Sequence, residues 1–203
     1  MPFFEYGETE LSALRRQAPE LSVFIDRFGM IKRETTPDLF TALAQAVISQ
    51  QISTKAMRTV WSRVTNRFGE PSPRLFLTEN PETLICCGIS QRKLNYIRGI
   101  AQAAEDGLTK ESLQPLSDAE ICARLQMLDG IGKWMAEMML IFCFERKNVL
   151  ISSDRGIRTA LCRLCDRKNL SRRDFDGFRQ RFAPYATVAS FYLWEFAGRD
   201  CRI

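Results

Sequence analysis

Histidine is absent from the chain, which removes the Ser-His and Cys-His nucleophile pairs and every His-based metal site at once. Acid–base chemistry must then come from carboxylates, Lys, Tyr or Cys. Two stretches place candidate groups in a pattern. The first is Leu128-Asp-Gly-Ile-Gly132, followed at once by Trp134, Met135, Met138, Met139 and Phe142 at helical spacing. A helix that starts on Gly-Ile-Gly bares its first N–H groups at the positive end of its dipole. Gly130 and Gly132 are expected to take backbone angles closed to other residues and to clear side chains from those amides. The product is an anion site made of backbone, suited to a phosphate; a plain tight helix–helix turn, which needs one glycine, is the competing reading. The second stretch is Val149-Leu-Ile-Ser-Ser-Asp154, ahead of Ile157, Ala160, Leu161 and Leu164. Local sequence makes Asp154 a helix N-cap, worth about 1 kcal/mol if it does nothing else.

The elements that must position these groups are helical almost throughout. Phe40, Leu43, Ala44, Val47 and Ile48 form one apolar stripe, and Ile52, Ala56, Met57, Val60, Trp61 and Val64 form another. Between them Ser49-Gln50-Gln51 is too polar for a core and too short for a loop. Ser117 and Glu120 spell a capping box, and Ser171 with Asp174 a weaker one. Pro184 separates the Phe175, Phe178, Phe182 stripe from a last helix through Val188, Phe191 and Trp194. No stretch alternates with period two for long enough to make a strand. The expected fold is all-α, about ten helices joined by short turns such as Gly69-Glu-Pro-Ser-Pro73.

At 203 residues and 45% hydrophobic, the chain can bury a core as one domain or two small ones. The longest apolar run, Met138 to Phe144, is seven residues, against the roughly 20 that a bilayer requires; no membrane partner is expected. The N-terminus lacks the basic and apolar regions of a secretory signal. Seven cysteines are an odd count, and most fall in apolar helical patterns where a reduced thiol acts as a small hydrophobe. The expected compartment is the cytoplasm. Residues 146–203 carry 13 Lys/Arg against 6 Asp/Glu, the remainder 16 against 18, an asymmetry that suits an anionic partner or a merely solvated basic face.

The pattern L-x-G-I-G-x-W-x-A, carried by Leu128, Gly130, Ile131, Gly132, Trp134 and Ala136, resembles the hairpin of the helix-hairpin-helix (HhH-GPD) DNA glycosylases. Asp154, 22 residues after Gly132, matches the aspartate that is the second hallmark of that superfamily. Ala46-Val-Ile-Ser-Gln-Gln-Ile-Ser53 is similar to its DNA-wedging segment, and Pro184-Tyr-Ala-Thr-Val-Ala-Ser-Phe191 to the segment that supplies a pocket aromatic. Together these cover most of residues 38–196, and the nearest group is the alkylation-repair one, the 3-methyladenine DNA glycosylase II type. Two departures are Asp129, where a proline is usual, which puts a carboxylate beside the anion site, and Met135 in place of a common threonine, expected to affect packing only.

The resemblance implies a single HhH-type glycosylase domain over 1–203, with a central helical subdomain near 38–135 ending in the hairpin. A second subdomain from 1–37 plus 136–203 packs closely on it, with a cleft between them. It implies a monofunctional enzyme of base-excision repair that acts, usually as a monomer, on double-stranded DNA containing damaged bases; in a bacterium that means the nucleoid. Asp154 is then the catalytic carboxylate. Gln51, with Gln50 beside it, is the candidate wedge; capping of a turn competes. Trp134, Tyr185 and Met138 are candidate pocket walls for an electron-poor alkylated purine, with core packing the competing reading for each. Leu128, Gly130, Ile131, Gly132 and Lys133 form the phosphate-binding hairpin, which leaves room for a monovalent cation. No other cofactor, zinc or iron–sulfur cluster is expected: Cys162 and Cys165 have C-x-x-C spacing, but the next cysteine is Cys201. Two other functions fit parts of the pattern. One is a non-catalytic DNA-binding protein, which has no use for a carboxylate near phosphates. The other is a glycosylase/lyase for oxidised bases, which needs a lysine where Trp134 stands.

Overall fold

The computed structural model describes residues 2–198, so Cys201 lies outside the described residues. It contains thirteen helices among those residues and no strand beyond one isolated antiparallel bridge between Phe3 and Glu34. The chain divides into two compact units, one of residues 36–144 and one of the residues before and after it. The central unit therefore runs past the expected boundary at 135. The reason is that the helix after the hairpin, Lys133–Phe142, is one continuous element, and Phe142 O at its end accepts from Thr36 N at 2.8 Å.

In the unit 36–144 the helices are α3 (Leu39–Ser49), α4 (Thr54–Phe68), α5 (Pro73–Thr78), α6 (Pro81–Cys86), α7 (Gln91–Glu105), α8 (Lys110–Leu113), α9 (Asp118–Leu125) and α10 (Lys133–Phe142). The other unit holds α1 (Glu8–Gln17), α2 (Pro19–Phe28), α11 (Arg155–Leu164), α12 (Arg172–Phe182) and α13 (Ala186–Gly198). The three helices beyond the expected ten are the short ones. Gly69-Glu-Pro-Ser-Pro73 is not only a turn: the Ser72 hydroxyl accepts from Leu75 N, and Pro73 opens α5, because a fixed φ suits a first helical position. Asn80 and Pro81 open α6 in the same way. Such helices, six residues each, are too short to show a period.

The cap residues explain the longer starts. Asp38 accepts from Thr41 N, Ser53 from Ala56 N and Ser90 from Lys93 N. Both Ser117–Glu120 and Ser171–Asp174 are complete capping boxes. α3 is buried on most of its surface, from Leu39 through Val47 and Ile48, and packs against α4, α7 and α10. α11 and α13 pack together at the heart of the other unit, where Phe191, Tyr192 and Phe196 are all but fully buried.

Candidate functional site

Three of the predicted groups come together in the unit 36–144. α9 ends at Leu125, and the hairpin that follows is closed by Leu128 N donating to Leu125 O and Ile131 N to Leu128 O, both at 3.1 Å. Ile131, 5% exposed, is its anchor. Gly130 stands at φ +84, and a Cβ there would lie 2.5 Å from Tyr96 Cδ2; only glycine can rest on that ring. Gly132 corrects the sequence expectation. Its φ of −85 and ψ of 171 are ordinary extended values, so it is not chosen for its angles. A Cβ on it would meet nothing within 4 Å beyond its own chain neighbours. The space its missing side chain leaves is open to a ligand at the amino end of α10, and Gly132 itself brings no side-chain cap to the first-turn amides. Lys133 and Asp129 on either side are exposed.

The turn that carries the two candidate wedge residues is part of the same construction. Ser49 O accepts from Ile52 N at 3.2 Å, with Gln50 at φ −55, ψ 125 and Gln51 at φ +61. These are the angles of a type II turn, whose third position favours glycine. A glutamine held there costs conformational energy and keeps an exposed side chain at the tip. Gln50 differs: half-buried, it donates from Nε2 to Gly130 O at 2.9 Å. Its side chain is committed to the hairpin, so of the two predicted wedge residues only Gln51 has the freedom that the role demands.

Trp134 is 44% exposed, which excludes the core reading for it. Met138, one turn on, is half-buried, and Met135 is buried as expected. The face of α4 is a feature that the apolar pattern concealed. Lys55, Arg58, Arg63 and Arg67 lie on a helix that contains no carboxylate, and all four are exposed. Lys55, Arg58, Ser62, Arg63 and Asn66 line a concavity of about 590 Å³.

Asp154 and Tyr185 belong to the other unit. Asp154 is the N-cap of α11, and its Oδ1 accepts from Ile157 N at 2.8 Å. The same Oδ1 accepts from the indole Nε1 of Trp194 at 2.9 Å, and the residue is 7% exposed. Sequence reasoning took Trp194 for core and missed this bond. One signal was available: Gly156 sits inside the first turn of α11, where glycine costs about 1 kcal/mol relative to alanine. A Cβ at Gly156 would lie 3.1 Å from Trp194 Cδ1 and 3.2 Å from Asp154 Oδ1. The segment leading to Asp154 is pinned as well. Val149 N donates to the buried Thr187 hydroxyl at 3.0 Å, which donates to Arg146 O at 2.6 Å. Tyr185 is half-buried and precedes α13 directly.

Several arginines of the basic C-terminal third are used within the protein. Arg158 donates to Ser152 O and Leu170 O, and Arg179 to Leu150 O. Arg167 pairs with Asp174 and Arg181 with Glu20. Two cysteines are held away from the thiolate form: burial, with Glu137 and Asp118 nearby, pushes the Cys122 thiol up to about 11, and burial also raises Cys165. Among the described residues no group of three or more Cys, Asp or Glu side chains could hold a metal ion.

Comparison with known proteins agrees with this geometry. Residues 44–175 match the family model described as HhH-GPD superfamily base excision DNA repair protein. The chain is 30% identical to DNA-3-methyladenine glycosylase 1 of Schizosaccharomyces pombe, over 93% of this chain and 86% of that one. Its fold is similar to the crystal structure of a DNA-3-methyladenine glycosidase from Bacillus halodurans, with a TM-score of 0.83 and 29% identity over 98% and 93% of the two chains. It is also similar to the S. pombe 3-methyladenine DNA glycosylase Mag1 in complex with abasic DNA, with a TM-score of 0.81 and 28% identity over 95% and 98%.

Proposed function

The chain belongs to the HhH-GPD superfamily of base excision DNA repair proteins, and from that membership we infer that it is a monofunctional DNA glycosylase. It hydrolyses the N-glycosidic bond of alkylated purines such as 3-methyladenine in double-stranded DNA. A base inside a duplex is out of reach of any pocket, so the nucleotide is rotated out at a cost of a few kcal/mol. The open amino end of α10 and the glycines before it grip a phosphate, Gln51 fills the gap in the stack, and Trp134 and Met138 supply aromatic and apolar surface for the base; Tyr185, in the other unit, is the further aromatic candidate.

Rupture of the bond builds positive charge on the sugar, as in glycoside hydrolysis. Asp154 stabilises that charge and orients or deprotonates the attacking water. Trp194 and the Ile157 amide fix the carboxylate so that little reorientation is left for the moment of reaction. The observation that carries this reading is the buried Asp154 carboxylate held at Oδ1 by a helix amide and an indole N–H. A protein that only grips DNA has no use for so constructed an acid.

No amine stands at the position from which lyase members attack the sugar, since it is held by Trp134. Lys133 is one residue earlier, rotated about 100° around the helix. The products are therefore free base and an uncut abasic strand. The test is incubation with separate duplexes that carry methylated, deaminated and oxidised bases, with borohydride present in parallel reactions. Release of the methylated purine without a trapped adduct is expected. A covalent adduct lost in Lys133→Gln would instead identify a lysine nucleophile.

A further inference from the structure

Lys93 is the third residue of α7, a position where a cation opposes the dipole of its own helix. Its ammonium lies against a different helix end. Nζ donates to Ile48 O at 2.7 Å and to Gln50 O at 2.8 Å, one carbonyl in the last turn of α3 and one inside the wedge turn that follows it. A cation there complements the negative end of α3. Burial, reinforced by Arg92, lowers the pKa of the amine, so the position is a costly one for a lysine and the two carbonyls offset that cost. One turn further along α7, the Tyr96 ring fills the space beneath Gly130. Gln50 then spans the two features through its bond to Gly130 O. One helix start thus supports both the strained turn that presents Gln51 and the hairpin.

We propose that Lys93 is a positioning residue for base flipping, which locks the Gln51 turn to the phosphate-gripping hairpin so that wedge and grip act as one preset body. The inference rests on the reading of Gln51 as the wedge. It follows that the charge of Lys93 is used on backbone carbonyls and not on DNA. Loss of Lys93 should therefore impair flipping while leaving general affinity for the backbone intact.

The experiment compares Lys93→Met, Lys93→Arg, Gln50→Ala and Gln51→Ala in the full chain. It uses undamaged duplex and a duplex with 2-aminopurine beside a methylated purine. Lys93→Met should bind undamaged duplex with wild-type affinity and an unchanged salt slope, because no phosphate contact is lost. Its flipping signal and single-turnover base release should fall by about tenfold, the scale of losing a hydrogen bond to a charged donor. Lys93→Arg, which keeps charge and donors, should recover much of that loss. A lesion placed opposite an abasic gap, already unstacked, should be excised by Lys93→Met at near wild-type rate; that outcome separates misplacement of the wedge from general damage to the fold. If Lys93→Met does not fold, Gln50→Ala breaks the same link from its other side and should reduce flipping several-fold. Uniform loss of affinity with a shallower salt slope would make Lys93 a phosphate contact and overturn the proposal. Normal flipping in Lys93→Met, or in Gln50→Ala where that variant stands in, beside impaired Gln51→Ala overturns this inference alone. Normal flipping in Gln51→Ala overturns the wedge reading and the inference with it.

Discussion

Gly132 and Asp154 both stand at the start of a helix, yet beyond its chain neighbours nothing lies within 4 Å of the Cβ that Gly132 lacks, whereas Asp154 is 7% exposed and doubly hydrogen-bonded. The first site is a helix start with no side-chain cap. The second is a side chain enclosed by a helix amide and by an indole 40 residues away. The contrast follows from what each is proposed to do. A phosphate arrives from solution with its own charge, so the protein needs only to leave amides uncovered at the positive end of a dipole. A transition state carries charge for an instant, so the group that answers it must be fixed beforehand. On these proposed roles, grip is made by omission and chemistry by construction.

The largest effect that sharpens this comparison is expected from Asp154→Asn. It keeps size and much of the capping but removes the charge, and base release should fall by about 10²–10⁴-fold while DNA binding survives or tightens, as read by single-turnover excision beside a binding titration. Trp194→Phe comes next. It keeps most of the packing against Phe191 and deletes one N–H donor, so excision should slow by about tenfold with unchanged affinity. A loss of affinity in that variant would break the comparison, since it would place Trp194 in the grip. In the other region, Gly130→Ala should lower stability by about 1–3 kcal/mol in urea unfolding, because its φ of +84 and the Tyr96 ring both oppose a Cβ. Gly130→Ala/Tyr96→Ala should restore only the part due to the ring. The smallest effect on stability is expected from Gln51→Gly. It relieves the left-handed strain while adding freedom to the unfolded chain, so the melting temperature should hardly move even as excision falls.

How legible each region is follows the same division. The hairpin is written in contiguous residues, and its helix starts, glycines and buried Ile131 can be read in order along the chain. What misleads there is Gly132: its type suggests unusual backbone angles, and the structure gives it extended ones. Asp154 as a cap is equally local. Its bond to Trp194 is not, because nothing in the Val188, Phe191, Trp194 stripe separates an indole that packs from one that also donates. Gly156 was the available trace, a first-turn glycine at which a Cβ would crowd Trp194 and Asp154. Gln50 and Gln51 look alike in sequence, and only the fold commits one to Gly130 and leaves the other at the tip. Lys93 and Tyr96 are unremarkable on the surface pattern of α7, since their partners lie on other elements. The short helices α5 and α6 escape periodicity, although their Ser72-Pro73 and Asn80-Pro81 starts could have announced them.

The most direct test of the division between grip and chemistry is excision at saturating DNA by Asp154→Asn and by Gly132→Val. A valine at Gly132 fills the space proposed for a phosphate and should weaken binding to all DNA alike, damaged or not, because backbone contacts carry no sequence information. Measured as single-turnover release of a methylated purine against rising enzyme concentration, Gly132→Val should climb to the wild-type plateau at higher concentration. Asp154→Asn should bind at the wild-type midpoint and level off at a plateau lower by orders of magnitude. A near wild-type plateau for Asp154→Asn, or a plateau for Gly132→Val as depressed as that of the aspartate variant, would contradict the assignment of chemistry to one site and grip to the other.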